Sequence, residues 1–316
     1  MKNKFTKVAI AFFTLAFAGC VSAEYSYPDP NVSIDNLKST VSYLTKIKPA
    51  RNYRNIRSLR KVEDYISGKF VEYGLKPEPQ EFVVNRKKYR NIIASVGAVN
   101  DPCEVIIVGA HYDVCGDQPG ADDNASAVAG LLEIARFAKK HEDKLPCRIE
   151  FVAYCLEEPP FFGTEQMGSY VHAKSLFDKK MKVKGMICLE MIGYFTDEKG
   201  SQKFPADFLK LMYPSTGNFI AVVSNQNNDE LIKHTAKHME NASIDVETLK
   251  APSFLKGMDF SDHRNYWKFG YDAVMVTDTA FYRNPNYHKK TDTIETLSFD
   301  KMKEVVKGVC WAILNF

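Results

Sequence analysis

Residues 104–136, EVIIVGAHYDVCGDQPGADDNASAVAGLLEIAR, join an apolar strand to an apolar helix through an acidic loop. The run VIIVGA has no polar face, which is typical of a strand that is covered on both sides. Residues 125–140 have the hydrophobic spacing of a helix that packs on a core. The sixteen residues 109–124 contain one histidine and four aspartates. This unit predicts a parallel α/β sheet in which the connecting loop carries the chemistry.

The same alternation of strand and helix extends along the chain. Further strands are predicted for EFVVN, NIIASVG, RIEFVAYC, GMICLEMIGY, NFIAVVSN and DAVMVTDT, and further helices for residues 34–45, 58–73, 166–177, 230–240 and 299–315. Alternating strands and helices favour an α/β fold with helices on both faces of the sheet. We therefore predict a three-layer α/β/α sandwich with a mixed, mostly parallel sheet, formed as one domain by residues 24–316.

Residues 1–23, MKNKFTKVAIAFFTLAFAGCVSA, have the organisation of a secretory signal: lysines first, then an apolar run, then small residues. The apolar run at residues 8–18 is shorter than a membrane-spanning helix requires. Two cleavage positions remain open. Cleavage after Ala23 would release a soluble protein, whereas cleavage before Cys20 would leave a lipoprotein anchored through that cysteine. Both alternatives predict export from the cytoplasm, to the periplasm or to the medium.

The charge balance gives no support for a nucleic-acid partner. The 316-residue chain has a net charge of +3, and its first 23 residues contain three lysines and no acid, so the remainder is formally neutral. A neutral surface provides no electrostatic attraction to nucleic acid or to a membrane. The one membrane attachment that stays open is the lipid anchor at Cys20. The basic stretch at residues 51–61 predicts a solvated helix entry, with a substrate-carboxylate site as the alternative.

Six of the seven cysteines lie beyond Cys20. An exported protein can form disulfides. Cys103 and Cys147 each precede a predicted strand, so a bridge between them is one hypothesis. The alternative is that most of these cysteines are free and buried as small apolar side chains.

Histidine and acidic side chains follow the predicted strands at the edge where parallel α/β sheets bind ligands. Each has an ordinary explanation by itself, such as a helix N-cap for Asp123. Glu190 is different, because it lies between two apolar runs, where an unpaired carboxylate is costly. The residues at this edge are His111, Asp113, Asp123, Glu157, Glu158, Glu190 and His288.

Histidine and carboxylate donors, with no cysteine in the obvious set, suit zinc or a similar divalent ion at a catalytic site. Two such ions about 3.5–4 Å apart, bridged by a carboxylate, form the usual co-catalytic hydrolase centre. Adjacent side chains at a strand end point to opposite sides. One of Glu157 and Glu158 can therefore bind metal while the other transfers protons.

Five segments of the sequence, taken in their order along the chain, carry a family resemblance. They are GAHYDV…PGADDNASAVAGLLEIAR, FVAYCLEEPPFFGTEQMGS, LEMIGYF, SDHRNYWKFGYDAVMVTDT and YHKKTDTIE. Over about residues 90–316 the sequence resembles the zinc exopeptidases that include aminopeptidase Y, secreted bacterial leucyl aminopeptidases and glutamate carboxypeptidase. The resemblance implies a hydrolase with two Zn²⁺ ions, most simply an aminopeptidase acting on peptides with a free N-terminus. It implies nothing about the oligomeric state.

The resemblance also implies a role for each matching residue. Glu157 would be the general base. Asp113 would orient a ligand imidazole, and Asp262 would lie close by and accept or share a hydrogen bond with Glu157. A cis peptide bond is implied between Asp123 and Asn124. The metal ligands would be His111, Asp123 as the bridge, Glu158, Glu190 and His288.

Three positions depart from the family pattern. Glu190 stands where many of these aminopeptidases have aspartate, although it remains an adequate oxygen ligand. Some relatives have a tyrosine before SDH that stabilises the oxyanion, and here the stretch is GMDF, which leaves that role unassigned. The segment EEPPFFGTEQMGS is longer than usual and is expected to reshape the pocket rim. We expect Phe161, Phe162 and Tyr287 to line that pocket and to favour apolar N-terminal residues.

Three alternative functions stay open. A carboxypeptidase or dipeptidase of the same family would use an arginine to hold a substrate carboxylate. A glutaminyl cyclase shares the fold, but such relatives typically use one zinc, and the presence of His111 favours two. A metal-free binding domain of this fold would have lost ligands, whereas this sequence retains all five together with Glu157.

Overall fold

A computed structural model describes residues 28–97 and 104–316. Seven α-helices and eight β-strands are found in this part of the chain. The helices are α1 (Ile34–Lys46), α2 (Ile56–Glu72), α3 (Ala127–Lys140), α4 (Gly168–Asp178), α5 (Asp229–Met239), α6 (His263–Lys268) and α7 (Phe299–Leu314). The strands are β1 (Pro77–Val84), β2 (Lys87–Val96), β3 (Glu104–His111), β4 (Arg148–Tyr154), β5 (Lys182–Glu190), β6 (Ile220–Ser224), β7 (Val246–Lys250) and β8 (Ala273–Thr277).

The eight strands form one mixed sheet in the order β1-β2-β4-β3-β5-β8-β6-β7. The four central strands, β4, β3, β5 and β8, are parallel to their neighbours in this group. At one side β2 runs antiparallel to β4 and to β1. At the other side β6 runs antiparallel to β8, and β7 is parallel to β6. The predicted mixed, mostly parallel α/β sheet is therefore confirmed.

The apolar side chains of β3 alternate between two cores, as the period of a strand requires. Ile106 and Val108 pack into the larger core with α1, α2, α3, α5 and α7. Val105 and Ile107 pack into the smaller core on the other face, with side chains of α4 and α6. The sheet is thus covered on both sides, which explains why its central strands have no polar face and confirms the three-layer arrangement.

The predicted helices begin and end within about two residues of the observed ones. The helix that follows the acidic loop begins at Ala127, because residues 121–126 form a separate tight turn in which the Asp123–Asn124 peptide bond is cis, as the resemblance implies. Two short elements were not predicted. The strand β7 (VETLK) is largely polar and lies at the sheet edge, and α6 has only six residues.

The basic stretch at residues 51–61 agrees with the prediction except at Arg51, since Arg54, Arg57 and Lys61 are exposed around the start of α2 whereas Arg51 is buried. Arg51 is only 1% exposed. Its guanidinium donates to the carbonyl oxygens of Tyr112 at 2.9 Å and Gly120 at 2.6 Å, and also to that of Pro119. The guanidinium of Arg51 is therefore not available to a substrate carboxylate, because it already binds backbone carbonyls of the acidic loop.

Three predictions fall outside the described residues: the signal segment at residues 1–23, the anchor at Cys20, and the Cys103 half of the proposed Cys103–Cys147 bridge. Among the residues that are described, none of the helices combines the length and the apolar character needed to cross a bilayer.

Candidate metal centre

The parallel strands bring distant parts of the sequence to one edge of the sheet. His111 is the last residue of β3 and Glu190 is the last residue of β5, and these two strands are neighbours. Glu157 and Glu158 follow β4 by three and four residues. His288 lies in the segment after β8, the neighbour of β5 on its other side. The carboxyl ends of the four central strands therefore supply the site.

Asp123 is shared between two histidines. Its Oδ1 lies 3.4 Å from Nε2 of His111, and its Oδ2 lies 3.1 Å from Nε2 of His288. Burial disfavours the charged form of Asp123, but the two imidazoles outweigh burial and lower its pKa below the ordinary value. The carboxylate is thus held ionised, with each oxygen directed at a different imidazole.

Each histidine has a second carboxylate partner. Oε2 of Glu190 lies 3.3 Å from Nε2 of His111, and Oε2 of Glu158 lies 3.2 Å from Nε2 of His288. Donor atoms of His111, Asp123 and Glu190 all lie within 4.8 Å of one another. The five predicted ligands consequently form two histidine–glutamate pairs that meet at Asp123.

Glu157 lies beside both pairs, and donor atoms of Glu157, His111 and Glu158 lie within 4.8 Å of one another. Its Oε2 is 3.8 Å from Nε2 of His111, which is too long for a hydrogen bond. The side chain is 6% exposed and borders a cavity. Burial raises the pKa of Glu157 well above the usual value; His111 opposes this shift, and the nearby Glu158 and Glu190 add to it. The arrangement leaves the carboxylate free to face a substrate.

The donor set fits divalent cations. Four carboxylates, those of Asp123, Glu157, Glu158 and Glu190, are each no more than 6% exposed. Burial, reinforced by Asp123, raises the pKa of Glu158 to about 7. Both ring nitrogens of His111 and Oε1 of Glu158 are buried and have no hydrogen-bond partner among the described residues. Buried charges of one sign and unpaired lone pairs are costly, and metal ions would compensate both.

Asp113 and Asp262 both lie close to this centre. Oδ1 of Asp113 is 3.7 Å from Nδ1 of His111, and its two oxygens instead accept the backbone N–H groups of Glu157 and Glu158 at 3.1 and 3.2 Å. Asp262 is fully buried, but neither of its carboxylate oxygens has a hydrogen-bond partner in the described part of the chain. The expected hydrogen bond between Asp262 and Glu157 is therefore wrong.

Several residues that the sequence analysis missed hold the ligands in place. Ser261 and Asn124 donate to Oε2 of Glu190 at 2.6 and 3.3 Å. Asp292 accepts the backbone N–H of Asp123. Ser261 and Asp292 lie inside the quoted segments SDHRNYW and YHKKTDTIE, so their proximity to Asp262 and His288 was the available signal.

A cavity of about 300 Å³ opens beside the centre. The carboxylates of the centre and His288 are part of its lining. Phe162 and Tyr287 line the cavity as predicted. The prediction for Phe161 is wrong, because this side chain is buried against the rings of Tyr53 and Tyr89. The remaining wall is mostly apolar and includes Phe204, Tyr213, Phe219, Ala221, Val223, Met258, Phe260, Met275 and Phe281.

Comparison with known sequences places the chain in a family. The sequence pattern of peptidase family M28 matches residues 91–313. The chain is 42% identical to "Uncharacterized protein YfbL" of Escherichia coli (strain K12), over 90% of this chain and 89% of that protein. It is 27% identical to a "Probable leucine aminopeptidase" of Arthroderma otae, over 88% of this chain and 71% of that protein.

Solved structures share the fold. LapB from Legionella pneumophila superposes with a TM-score of 0.70 at 23% identity, over 90% of this chain and 72% of that one. A glutaminyl cyclase from Bacteroides thetaiotaomicron superposes with a TM-score of 0.68 at 18% identity, over 92% of this chain and the whole of that one. These likenesses establish the architecture, while the sequence match covers every residue of the centre. The chain belongs to peptidase family M28 and is a hydrolase of the peptidase class.

Proposed function

We propose that this chain is an exported aminopeptidase that removes N-terminal residues from peptides with the help of two zinc ions. The observation that carries the proposal is the position of Asp123, whose two oxygens face two different histidines. A carboxylate shared between two donor groups is the arrangement of a co-catalytic metal pair. The names of the relatives support the aminopeptidase activity, and the signal sequence expected at residues 1–23 supports export.

The two ions would be held by different strand ends. His111 and Glu190 would hold one, Glu158 and His288 would hold the other, and Asp123 would be common to both. Zinc bound there would polarise the scissile carbonyl and lower the pKa of water to near 7. Asp113 fixes the backbone at this point, because its two oxygens accept the successive N–H groups of Glu157 and Glu158.

Glu157 is the residue that would transfer protons. It borders the cavity and lies beside the proposed metal-binding pairs, with its Oε2 3.8 Å from Nε2 of His111. It would accept a proton from the attacking water and then deliver that proton to the amine of the leaving peptide. Glu158, turned towards His288, cannot take this role while it binds metal.

The cavity supports an apolar substrate side chain. Its wall is built mainly from aromatic and aliphatic residues, and the carboxylates of the centre are part of its lining. An amino group carries a positive charge, so the free N-terminus would lie beside these carboxylates while the side chain of the first residue enters the apolar part. Leucine and phenylalanine are therefore the preferred first residues in this proposal.

A panel of aminoacyl anilides tests the proposal. The protein loaded with zinc should hydrolyse leucine and phenylalanine anilides, lose activity after treatment with a chelator, and regain it when zinc is restored. The matched control is the N-acetylated anilide, which has the same side chain and no free amine and should be inert. Cleavage confined to N-blocked peptides with a free carboxylate would instead indicate a carboxypeptidase.

A glutaminyl cyclase is the second candidate, because a structure of that name matches this fold over its whole length. A peptide beginning with glutamine separates the two functions. Release of free glutamine would support the aminopeptidase. Loss of ammonia from an otherwise intact peptide would support the cyclase.

A further inference from the structure

A cysteine lies next to the pair formed by His288 and Glu158. The thiol sulfur of Cys115 and donor atoms of Glu158 and His288 all lie within 4.8 Å of one another. Cys115 is half-buried and is not in a disulfide. It stands in the acidic loop eight residues before Asp123, although the sequence analysis counted no cysteine in the donor set. The group therefore combines sulfur, oxygen and nitrogen donors from three different parts of the chain.

The loop on either side of Cys115 is anchored to buried groups. The N–H of Val114 donates to the carbonyl of Arg51 at 3.2 Å, and the carbonyl of Gly116 accepts from Nδ2 of Asn52 at 2.5 Å. Arg51 and Asn52 are 1% and 3% exposed. Because hydrogen bonds fix the backbone on both sides of Cys115, this residue keeps its position beside the pair.

The partner carboxylate has an unused donor atom. Oε2 of Glu158 faces His288 at 3.2 Å, whereas its Oε1 is buried and has no hydrogen-bond partner among the described residues. Glu158 itself is 4% exposed. An unpaired oxygen so well removed from solvent indicates that this group is completed by something other than protein atoms. This observation is independent of the position of the cysteine.

We propose that Cys115 is a further ligand at the metal position formed by Glu158 and His288. On coordination the thiol would release its proton to solvent and bind as a thiolate. This inference rests on the proposed two-metal function, which assigns Glu158, His288 and Asp123 to that position. It adds a residue that those assignments do not contain.

A thiolate ligand gives this position a distinct chemical preference. Thiolates favour zinc and other soft or borderline ions, whereas carboxylates, carbonyls and water suit magnesium and manganese. The position made by His111 and Glu190 has only nitrogen and oxygen donors. The two positions should therefore differ in metal preference, with the Cys115 position retaining zinc or cadmium most strongly.

Cobalt titration tests this assignment without measuring activity. The full-length protein is freed of metal and titrated with Co²⁺, and the near-ultraviolet cobalt–thiolate charge-transfer band is recorded. We expect the wild type to develop this band and Cys115→Ser to lack it while still binding cobalt. The matched control, Cys147→Ser, removes a buried thiol that lies before β4 and should retain the band.

A zinc competition assay gives the second readout. Cys115→Ser should weaken the binding of one of two zinc ions by about 10–100-fold, the range seen when a group supporting a metal site is lost, and leave the other unchanged. Two cobalt ions bound with identical spectra in wild type and Cys115→Ser would overturn the cysteine assignment and leave the two-metal proposal standing. Failure of the wild type to bind any metal would overturn both.

Discussion

Asp292 holds the backbone of Asp123 from 169 residues further along the chain, since its Oδ2 accepts the Asp123 N–H at 3.1 Å. Its Oδ1 accepts the N–H of Asp122 at 2.9 Å. The carboxylate thus fixes the turn that presents Asp123 to both histidines, and it does so only four residues after His288. One segment supplies a ligand and also positions the shared one.

Replacing Asp292 with Asn should therefore weaken metal binding without removing a ligand. An amide has one oxygen, so its NH₂ group would face a backbone N–H that needs an acceptor. We expect zinc affinity to fall about 10–100-fold, as measured by competition with a chromophoric chelator. Asp300→Asn, an exposed change in the first turn of α7, is the control. Equal zinc affinity in both variants would contradict the positioning role.

Glu157 and Glu158 are adjacent in sequence but should respond differently to the same substitution. Glu157→Gln should keep both metals and lower kcat by about 10²–10⁴-fold, because the group that transfers protons is lost. Glu158→Gln should lose metal from one position. Metal content and turnover measured on the same samples separate the two effects, and unchanged kcat in Glu157→Gln would refute the base assignment.

Metal removal should destabilise the fold. The buried carboxylates of Asp123, Glu157, Glu158 and Glu190 repel one another, and an ion that binds only the folded state adds about 2.7 kcal/mol of stability at 100 times its dissociation constant. We expect the thermal midpoint to rise with zinc concentration in the chelator-treated protein. Magnesium at the same concentration serves as the control. A midpoint that zinc leaves unmoved would argue against a metal centre.

Ala221 offers a way to shrink the cavity without touching the centre. It lies on β6 and lines the apolar wall. Ala221→Leu should reduce kcat/KM for phenylalanine anilide about tenfold or more, since excluding a bulky side chain costs about 1–3 kcal/mol. The effect on alanine anilide should be much smaller. Equal losses on both substrates would mean that this cavity does not receive the first side chain.

A pair of histidines on α5 should make stability depend on pH. Burial and the neighbouring His234 lower the pKa of His238 from 6.5 to about 4, and burial also lowers that of His234. At His238 the unfolded chain therefore binds more protons, so the contribution of this histidine to stability falls as the pH drops below about 6.5 and continues to fall to about 4.

The free energy of urea unfolding, measured in chelator between pH 7 and 5, tests this dependence. A single group of this kind contributes a slope of up to about 1.4 kcal/mol per pH unit. Wild type should lose stability relative to His238→Gln as the pH falls, because the buried carboxylates of the centre contribute equally to both proteins. The same slope in His238→Gln and in wild type would assign acid sensitivity to other groups.

The candidate ligands could be predicted because they lie in the motifs that carry the family resemblance, and because apolar runs mark the strands that end at two of them. His111 and Glu190 directly end runs of this kind. The contacts that support these residues could not be predicted, because Asp292 and Ser261 act through hydrogen bonds that join segments distant in sequence. Phe161 and Phe162 show the same limit, since adjacent aromatic residues gave no sign of which one enters the core and which one lines the cavity.

The sequence also could not predict that β6 runs antiparallel to β8, because a buried strand has the same apolar pattern in either direction. This reversal brings the segment before β6, with Phe204 and Tyr213, to the edge of the sheet where the parallel strands end. In the proposed function, part of the wall that contacts the substrate therefore comes from a stretch of the chain that contains none of the proposed ligands. If the proposed function is right, substitutions around residues 202–223 would change which first residue is accepted and leave the proposed ligands in place.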